Sequence, residues 1–215
     1  MAKSASSGLT WGLAALAAAL FVPLFALEGI GAFDFWWWMG ANAVVLVTAS
    51  AVLDSGWRQA FLHDLGRGLW WKVLAGVGSA AVLYAVFFAG NHLARALFDF
   101  AGSDIGRVYG FKEGAAVVRV GLLIGFLIGP AEELFWRGFL QRRLEARHGP
   151  LAGTVVAAVV YAAIHIASLN FMLVAAALVC GLFWGALYSR FRSMTLNVVS
   201  HVLWDLAVFL WFPFS

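Results

Sequence analysis

Charged side chains are scarce in this sequence. Asp, Glu, Lys and Arg make up 12% of its 215 residues, against roughly 25% in an average soluble domain, whereas 63% of the residues are apolar. With a mean hydropathy of +0.89, this composition predicts an integral membrane protein and leaves no room for a soluble domain. Cysteine is nearly absent too, and the single Cys180 excludes an internal disulfide. The small formal charge of +3 gives no indication of nucleic-acid binding.

Seven apolar stretches account for nearly the whole chain. They span residues 9–27, 35–53, 69–90, 115–139, 151–168, 171–189 and 194–212. Each is close to the ~20 residues that cross a hydrocarbon core as a helix. The sequence therefore predicts an all-α polytopic bundle of about seven transmembrane helices, in a single integral membrane domain covering residues 1–215. Short interfacial helices are also expected, because apolar residues recur every four positions from Trp57 to Leu69.

The distribution of basic residues predicts the orientation in the membrane. With a cytoplasmic N-terminus, nine basic residues fall on the cytoplasmic side: Lys3, Arg58, Arg67, Lys72, Arg142, Arg143, Arg147, Arg190 and Arg192. Three fall on the outer side: Arg95, Arg107 and Lys112. The positive-inside rule thus favours a cytoplasmic N-terminus. Which membrane face a cavity opens toward, and the oligomeric state, are left open by the sequence.

The fourth apolar stretch contains charged residues well inside its length. Glu132, Glu133 and Arg137 lie within six residues of one another, and a charge at the centre of a bilayer costs roughly 3 to more than 10 kcal/mol. Glu133 and Arg137 are four residues apart, so they can form an ion pair along one helix face. Glu132 points about 100° away from Glu133 and has no local partner. Pro130, just before this motif, predicts a kink.

Two histidines on other stretches reach the depth of Glu132. The pair Gly149-Pro150 predicts the turn of a helical hairpin, with Glu132 about 25 Å before it along the helix and His165 about 22 Å after it. His201 lies roughly 10 Å past the start of its stretch and Glu132 roughly 10 Å before the end of its own, and both of these ends lie on the inner side of the membrane. Asp205 follows His201 by four residues and so shares its helix face. These four side chains can meet in one pocket.

Hydrolysis is the chemistry that this set of side chains favours. A carboxylate and an imidazole can hold a water molecule and remove its proton, while a second imidazole donates to the oxyanion formed at a carbonyl. The sequence lacks the residues that other classes of protease need. It contains no Gly-x-Ser-x-Gly and no His-Glu-x-x-His, and only one aspartate, Asp205, lies deep in an apolar stretch. Two alternatives stay open, a zinc site made by His165, His201 and Glu132 and a polar network that only holds helices together.

Three motifs resemble the CPBP family of intramembrane proteases, which includes the CAAX prenyl endopeptidases and bacterial Abi-type proteins once described as bacteriocin-immunity factors. The motifs are Glu132-Glu133-x-x-x-Arg137, Tyr161-x-x-x-His165 and His201-x-x-x-Asp205, in this order and on separate stretches. The resemblance covers about residues 115–210, which would form the catalytic core. It implies a glutamic-type endopeptidase in which these residues act without a cofactor, with zinc dependence as the alternative.

The resemblance implies two groups of site residues. The catalytic group, in which the first two residues activate the water and the last two form the oxyanion site, is Glu132, His165, His201 and Asp205. The supporting group is Glu133, Arg137 and Tyr161. Two positions depart from the family pattern, since Tyr161 stands where phenylalanine is common and Asp205 where asparagine is common. Because an ionised Asp205 would repel the oxyanion, it would be protonated or would instead orient His201.

The resemblance also implies the setting in which the protein acts. The expected partner is a membrane-associated peptide or protein substrate, prenylated or not, that is cleaved within the membrane or near its C-terminus. The expected location is the cell membrane of a bacterium or archaeon. A non-catalytic membrane scaffold or bacteriocin-immunity protein, which binds a partner through the same cavity, is the alternative from a different functional class.

Overall fold

The computed structural model describes residues 7–66 and 68–214, and nearly all of them are helical. The helices are α1 (Ser7–Leu27), α2 (Phe35–Leu53), α3 (Ser55–Leu65), α4 (Leu69–Leu97), α5 (Ala101–Gly110), α6 (117–148), α7 (Pro150–Ser168), α8 (Phe171–Phe191) and α9 (Met194–Trp211). A two-residue antiparallel pair, β1 (Gly29–Ile30) with β2 (Phe33–Asp34), joins α1 to α2. The predicted all-α polytopic bundle is confirmed.

Within the described residues, six helices are long and apolar enough to cross a membrane, namely α1, α2, α4, α7, α8 and α9. The predicted fourth span corresponds to α6, which carries the charged motif. The predicted surface helix exists as α3, but its first turn is inserted into the bundle, because Trp57 is buried and its indole N–H donates to the Leu134 carbonyl at 2.8 Å. Lys3 and Arg67, two of the basic residues used to predict the orientation, lie outside the described residues.

Helix α6 departs from α-helical hydrogen bonding in two segments along its length. Two π-helical segments, Ile124–Ile128 and Trp136–Gln141, flank an α-helical segment, Gly129–Phe135. Pro130 lies at the start of the middle segment, so the disturbance predicted there takes the form of a switch from π- to α-helical bonding. The middle segment contains both glutamates. The two glutamates therefore lie on a short α-helical segment that is bounded on both sides by π-helical turns.

The π segments also change which glycines of α6 meet a neighbour. The four-residue spacing of Gly121, Gly125 and Gly129 predicts that all three face one helix. A Cβ added at Gly129 would lie 2.8 Å from the Val202 side chain and one at Gly121 would lie 3.2 Å from Leu210, so both glycines face α9. A Cβ at Gly125 would meet nothing within 4 Å. The prediction is wrong for Gly125, which lies within the π-helical segment Ile124–Ile128.

The hairpin of α6 and α7 places the second motif beside the first. Gly149 ends α6 with a φ of +83°, a conformation that favours glycine, and Pro150 begins α7. The two backbones then run in contact, since a Cβ added at Gly153 would collide with the backbone nitrogen of Glu145. This close pairing brings Tyr161 alongside the middle segment of α6.

Ion pairs fasten the helices at the end of the bundle where the basic residues lie. Lys72 donates to Asp64 at 2.7 Å, and the Thr195 backbone N–H donates to the other oxygen of the same carboxylate at 2.7 Å, which ties α3, α4 and α9 together. Burial alone would raise the pKa of the Asp64 carboxyl, but these hydrogen bonds outweigh burial and hold that pKa below its usual value. Asp54 pairs with Arg142 at 2.6 Å and ties α6 to the start of α3.

Candidate active site

A cavity of ≈ 330 Å³ lies toward the other end of the bundle, away from these ion pairs. Its wall is mostly apolar and is built from α1, α2 and all the helices from α4 to α9. The polar and thiol-bearing side chains along it are Asn91, Tyr109, Glu132, Tyr161, His165, Cys180, His201 and Asp205. The structure thus brings all four predicted catalytic residues, and Tyr161, to one cavity. Glu133 and Arg137 lie behind its wall.

Glu132 lies on the cavity wall with one defined partner. The Tyr161 hydroxyl donates to Glu132 Oε2 at 3.2 Å, and His201 Nε2 is 4.0 Å from the same oxygen. Glu132 is almost completely buried. A buried carboxylate with few donors is costly, and such groups occur in membrane proteins mainly where they have a function. Tyr161 supplies the hydrogen bond that phenylalanine at this position could not make.

His165 lies in the last turn of α7, where the helix tightens to 3₁₀ geometry over Ile164–Ser168. Its Nδ1 is 2.8 Å from the Tyr161 carbonyl oxygen. Because a carbonyl only accepts, Nδ1 must carry the proton, and Nε2 of the neutral ring is left as a free acceptor. The ring packs against Phe25 of α1 at 4.3 Å between centroids, which fixes its orientation. In the described chain no direct hydrogen bond joins His165 to Glu132.

The link that follows His165 turns inward. Ser168 and Asn170 are buried under α5. Arg107 of α5 donates to the Ser168 carbonyl at 3.2 Å, and Asn170 donates to the Asp104 carbonyl at 2.7 Å. Asp104 also accepts from the first backbone N–H of α8, at Phe171. Helix α5 therefore covers the cavity at this end and holds the His165 turn in place.

His201 is held on three sides. Its Nδ1 is 2.7 Å from Glu133 Oε1, its Nε2 is 3.3 Å from Asp205 Oδ2, and its ring stacks on Trp184 with centroids 3.8 Å apart. Since a carboxylate can only accept when ionised, the Glu133 contact keeps a proton on Nδ1. Asp205 stands on the cavity side of the ring. The His201-x-x-x-Asp205 spacing thus forms a contact within α9, and Glu133 joins it to the first motif.

Glu133 is the centre of a buried network behind the cavity wall. Arg137 donates to Glu133 Oε1 at 2.7 Å, as the four-residue spacing predicted, and Asn197 donates to Glu133 Oε2 at 3.2 Å. Arg137 lies over the rings of Tyr161 and Trp184, at 5.2 Å and 5.3 Å from their centroids. The network neutralises the glutamate and fixes the oxygen that faces His201.

Two residues of this network, Asn197 and Trp184, were not singled out from the sequence. Asn197 lies four residues before His201, and this spacing is a signal that places it on the same face of α9 as the histidine. Trp184 stands alone in an apolar stretch, and its contact with His201 could not be predicted from any repeat. Both help to orient His201, because Asn197 holds Glu133 in place and Trp184 packs against the face of the imidazole ring.

The zinc alternative needs three ligands that converge on one point. Across residues 7–66 and 68–214, no group of three or more His, Cys, Asp or Glu side chains is arranged so that it could hold one metal ion. The three side chains of the zinc alternative, His165, His201 and Glu132, do not converge as such a group in the described residues, and dependence on zinc remains to be tested by chelation. His201 in particular has both ring nitrogens directed at carboxylates.

Comparison with known proteins places the three motifs in one family. The sequence model of the type II CAAX prenyl endopeptidase Rce1-like family matches residues 114–207, a segment that contains all seven candidate residues. No curated protein and no solved structure matches the chain. Residues 114–207 are thus similar to the Rce1-like family, and the resemblance to the CPBP intramembrane proteases that the three motifs predicted is confirmed.

Proposed function

We propose that this protein is a glutamic-type intramembrane endopeptidase that hydrolyses a peptide bond of a membrane-associated protein. The Rce1-like family supports a protease with a membrane-associated substrate. The observation that carries the mechanism is the meeting of Glu132, His165 and His201 at one apolar cavity. These three side chains come from three helices, α6, α7 and α9, and a purely structural network has no need of a free imidazole nitrogen facing a cavity.

In the first step, Glu132 and His165 hold the attacking water. His165 Nε2 accepts one hydrogen bond from it, because Nδ1 is protonated and turned to the Tyr161 carbonyl. Glu132 accepts the other hydrogen and removes that proton as the hydroxyl adds to the peptide carbonyl. Glu132 then passes the proton to the leaving nitrogen as the C–N bond breaks, which releases an amine and a carboxylic acid. Tyr161 keeps the glutamate oxygen in position throughout.

His201 stabilises the negative charge that develops on the carbonyl oxygen. Its Nε2 faces the cavity side, and the carboxylates beside its two ring nitrogens, Glu133 at Nδ1 and Asp205 at Nε2, favour the doubly protonated ring, in which Nε2 is a donor. Asp205, 3.3 Å from Nε2, acts on His201 and not on the substrate in this proposal. Paired with a protonated His201, the aspartate adds no net negative charge at the oxyanion. Removing one such oxyanion donor typically costs about 10²–10³ in kcat.

The substrate is proposed to enter from the lipid side, between α4 and α8. Val86 of α4 and Val179 of α8 both line the cavity, yet they are 47% and 41% exposed on the outside of the bundle. The cavity therefore communicates with the surface that lipid covers. An apolar segment already in the membrane, whether a helix end or an isoprenoid chain, can reach Glu132 by this route without crossing the bundle.

The experiment that tests this function uses the purified protein in lipid nanodiscs. The probes are a peptide with a prenylated C-terminal CAAX sequence, the same peptide unprenylated, and a transmembrane peptide. We expect His165→Gln to lower kcat by about 10²-fold, since the imidazole nitrogen that positions the attacking water is lost. His148→Gln, an exposed histidine at the basic end, is the matched control and keeps full activity. Chelators leave the activity intact.

Each alternative has its own outcome in the same assay. Loss of activity in chelator and recovery with added zinc would select the zinc enzyme. If His165→Gln cuts like the wild type, the catalytic assignment is wrong. An inert protein whose Glu132 and His165 variants still protect cells against a bacteriocin would select the scaffold or immunity function.

The cavity is proposed to open toward the outer face of the membrane. It lies at the end of the bundle that holds α5, opposite the end with Arg142, Arg147 and Arg190. The positive-inside rule places the arginine-rich end in the cytoplasm. A substrate would then present its scissile bond from the outer leaflet.

Cysteine labelling in intact cells tests this orientation. The two labelling variants, Ser103→Cys and Ala146→Cys, are made in a Cys180→Ser background. Ser103 is exposed on α5, and Ala146 is exposed at the basic end of α6. We expect a membrane-impermeant maleimide to label Ser103→Cys in intact cells and Ala146→Cys only after permeabilisation. The reverse pattern would show that the cavity faces the cytoplasm.

A further inference from the structure

The segment after α9 folds back over the end of the cavity. Phe212 leaves the helical conformation with φ −140° and ψ 62°, and the chain then runs along α4 and α5. The Phe214 side chain is only 8% exposed and forms part of the cavity wall, whereas Phe212 is 62% exposed. Of the two phenylalanines on this short segment, Phe214 is therefore buried against the cavity and Phe212 is exposed outside it.

Three side chains hold this segment through its main chain. The Phe214 N–H donates to Tyr109 Oη at 2.9 Å, Arg95 donates to the Phe214 carbonyl at 3.3 Å, and Tyr84 donates to the Phe212 carbonyl at 2.9 Å. Contacts of this type recognise a peptide backbone whatever its side chains, while pockets beside them select particular side chains. The Phe214 ring occupies such a pocket, with Tyr84 at 5.0 Å between centroids.

The same side chains are continuous with the catalytic cavity. Tyr109 lines it, and Arg95 is held by Asn91 Oδ1 at 3.0 Å, where Asn91 is also on the cavity wall. Arg95 and Tyr84 belong to α4 and Tyr109 to α5, so they form one rigid edge of the opening. None of them contacts Glu132, His165 or His201 in the described contacts. Tyr84, Arg95 and Tyr109 thus bond backbone groups of a peptide segment but have no part in the proposed hydrolysis.

We propose that Tyr84, Arg95 and Tyr109 form a substrate subsite, which residues 212–214 occupy at rest. The ligand class is an extended peptide segment that carries a bulky apolar side chain at the position of Phe214. Binding of the substrate displaces the segment and puts its own backbone on the same three side chains. This inference rests on the proposed peptidase function for the identity of the ligand, but the occupation of the site can be measured without catalysis.

The lone Cys180 provides that measurement, because it is buried in the cavity wall and the described chain contains no other cysteine. Glu132→Gln is used as the background, so that no peptide is consumed. We expect Phe214→Ala to raise the labelling rate of Cys180 by N-ethylmaleimide several-fold. Phe212→Ala is the matched control on the same segment and labels at the background rate, because its ring lies outside the cavity.

A peptide competitor tests the ligand class. The probe is acetyl-Trp-Phe-Pro-Phe-amide, which has the sequence of residues 211–214. We expect it to slow labelling of Phe214→Ala, and the same peptide with alanine in the last position to have no effect. Tyr109→Phe, which loses the acceptor for the Phe214 N–H but keeps the ring, should label faster than the background as well, and covers the case in which Phe214→Ala does not fold.

The outcomes separate this inference from the proposed function. Equal labelling rates in the background, Phe214→Ala, Tyr109→Phe and Phe212→Ala would overturn the inference even if the enzyme is active. Faster labelling without protection by the phenylalanine peptide would overturn the ligand class. Wild-type activity in the Glu132→Gln protein would overturn the proposed catalytic role of Glu132 and leave the labelling result valid.

Discussion

Glu132→Gln is expected to lower kcat for peptide cleavage by about 10²–10⁴-fold, because an amide cannot remove a proton from water. Glutamine has nearly the same shape and still offers an oxygen to the Tyr161 hydroxyl, now 3.2 Å from the carboxylate. The loss should therefore appear in kcat while substrate binding is kept. The variant is also expected to be at least as stable as the wild type in thermal unfolding, since it no longer buries a poorly partnered carboxylate.

Glu113→Gln is the matched control for this prediction. Glu113 is exposed outside the membrane-spanning helices, so its loss of charge should change neither kcat nor stability. A folded Glu132→Gln protein that cleaves the substrate at the wild-type rate would contradict the role of Glu132 as the base. A variant that loses activity together with its fold would instead show that the carboxylate is structural, which the Tyr161 contact alone does not support.

Glu133→Gln is expected to be the most destabilising single change in the site. It leaves Arg137, which is almost fully buried, without its carboxylate at 2.7 Å. Breaking a buried ion pair by removing one partner costs about 3–5 kcal/mol. The same change removes the acceptor 2.7 Å from His201 Nδ1, so activity should fall as well. Thermal unfolding in detergent measures the first effect and kcat the second.

The double variant Glu133→Gln/Arg137→Met separates these two effects. With both charges gone, no uncompensated charge is buried, and we expect much of the lost stability to return. Activity should not return, because His201 still lacks the carboxylate that keeps its Nδ1 protonated. If the two substitutions add their effects on stability, the ion pair does not matter to the fold. If the double variant regains activity, Glu133 has no part in orienting His201.

The depth of the site residues could be predicted because it depends on local geometry alone. A helix rises 1.5 Å per residue, so counting residues from the Gly149-Pro150 turn places Glu132 and His165 at similar depths. The Glu133–Arg137 pair followed in the same way from a four-residue spacing. Asn197 is also four residues from His201, so the same spacing could have predicted it as a site residue.

Other parts of the site depend on contacts between distant residues. The stacking of Trp184 on His201 joins two helices that show no matching pattern, and the return of Phe214 to the cavity depends on Tyr84, Arg95 and Tyr109 far earlier in the chain. The π-helical segments of α6 likewise follow no residue repeat. Gly125, where the prediction was wrong, lies in one of them.

The sequence by itself determined the class of the protein. Its apolar stretches dictate a helical membrane bundle, since only helices or closed barrels satisfy their backbone in lipid, and its few buried charges mark the site because charge in a bilayer is too costly to keep without a use. Only the tertiary structure decided which side chains of other helices those charges meet and which residues line the cavity. Glu133 faces His201 and Glu132 faces the cavity because packing of α6 against α7 and α9 sets the rotation of each helix, and no local pattern specifies that rotation.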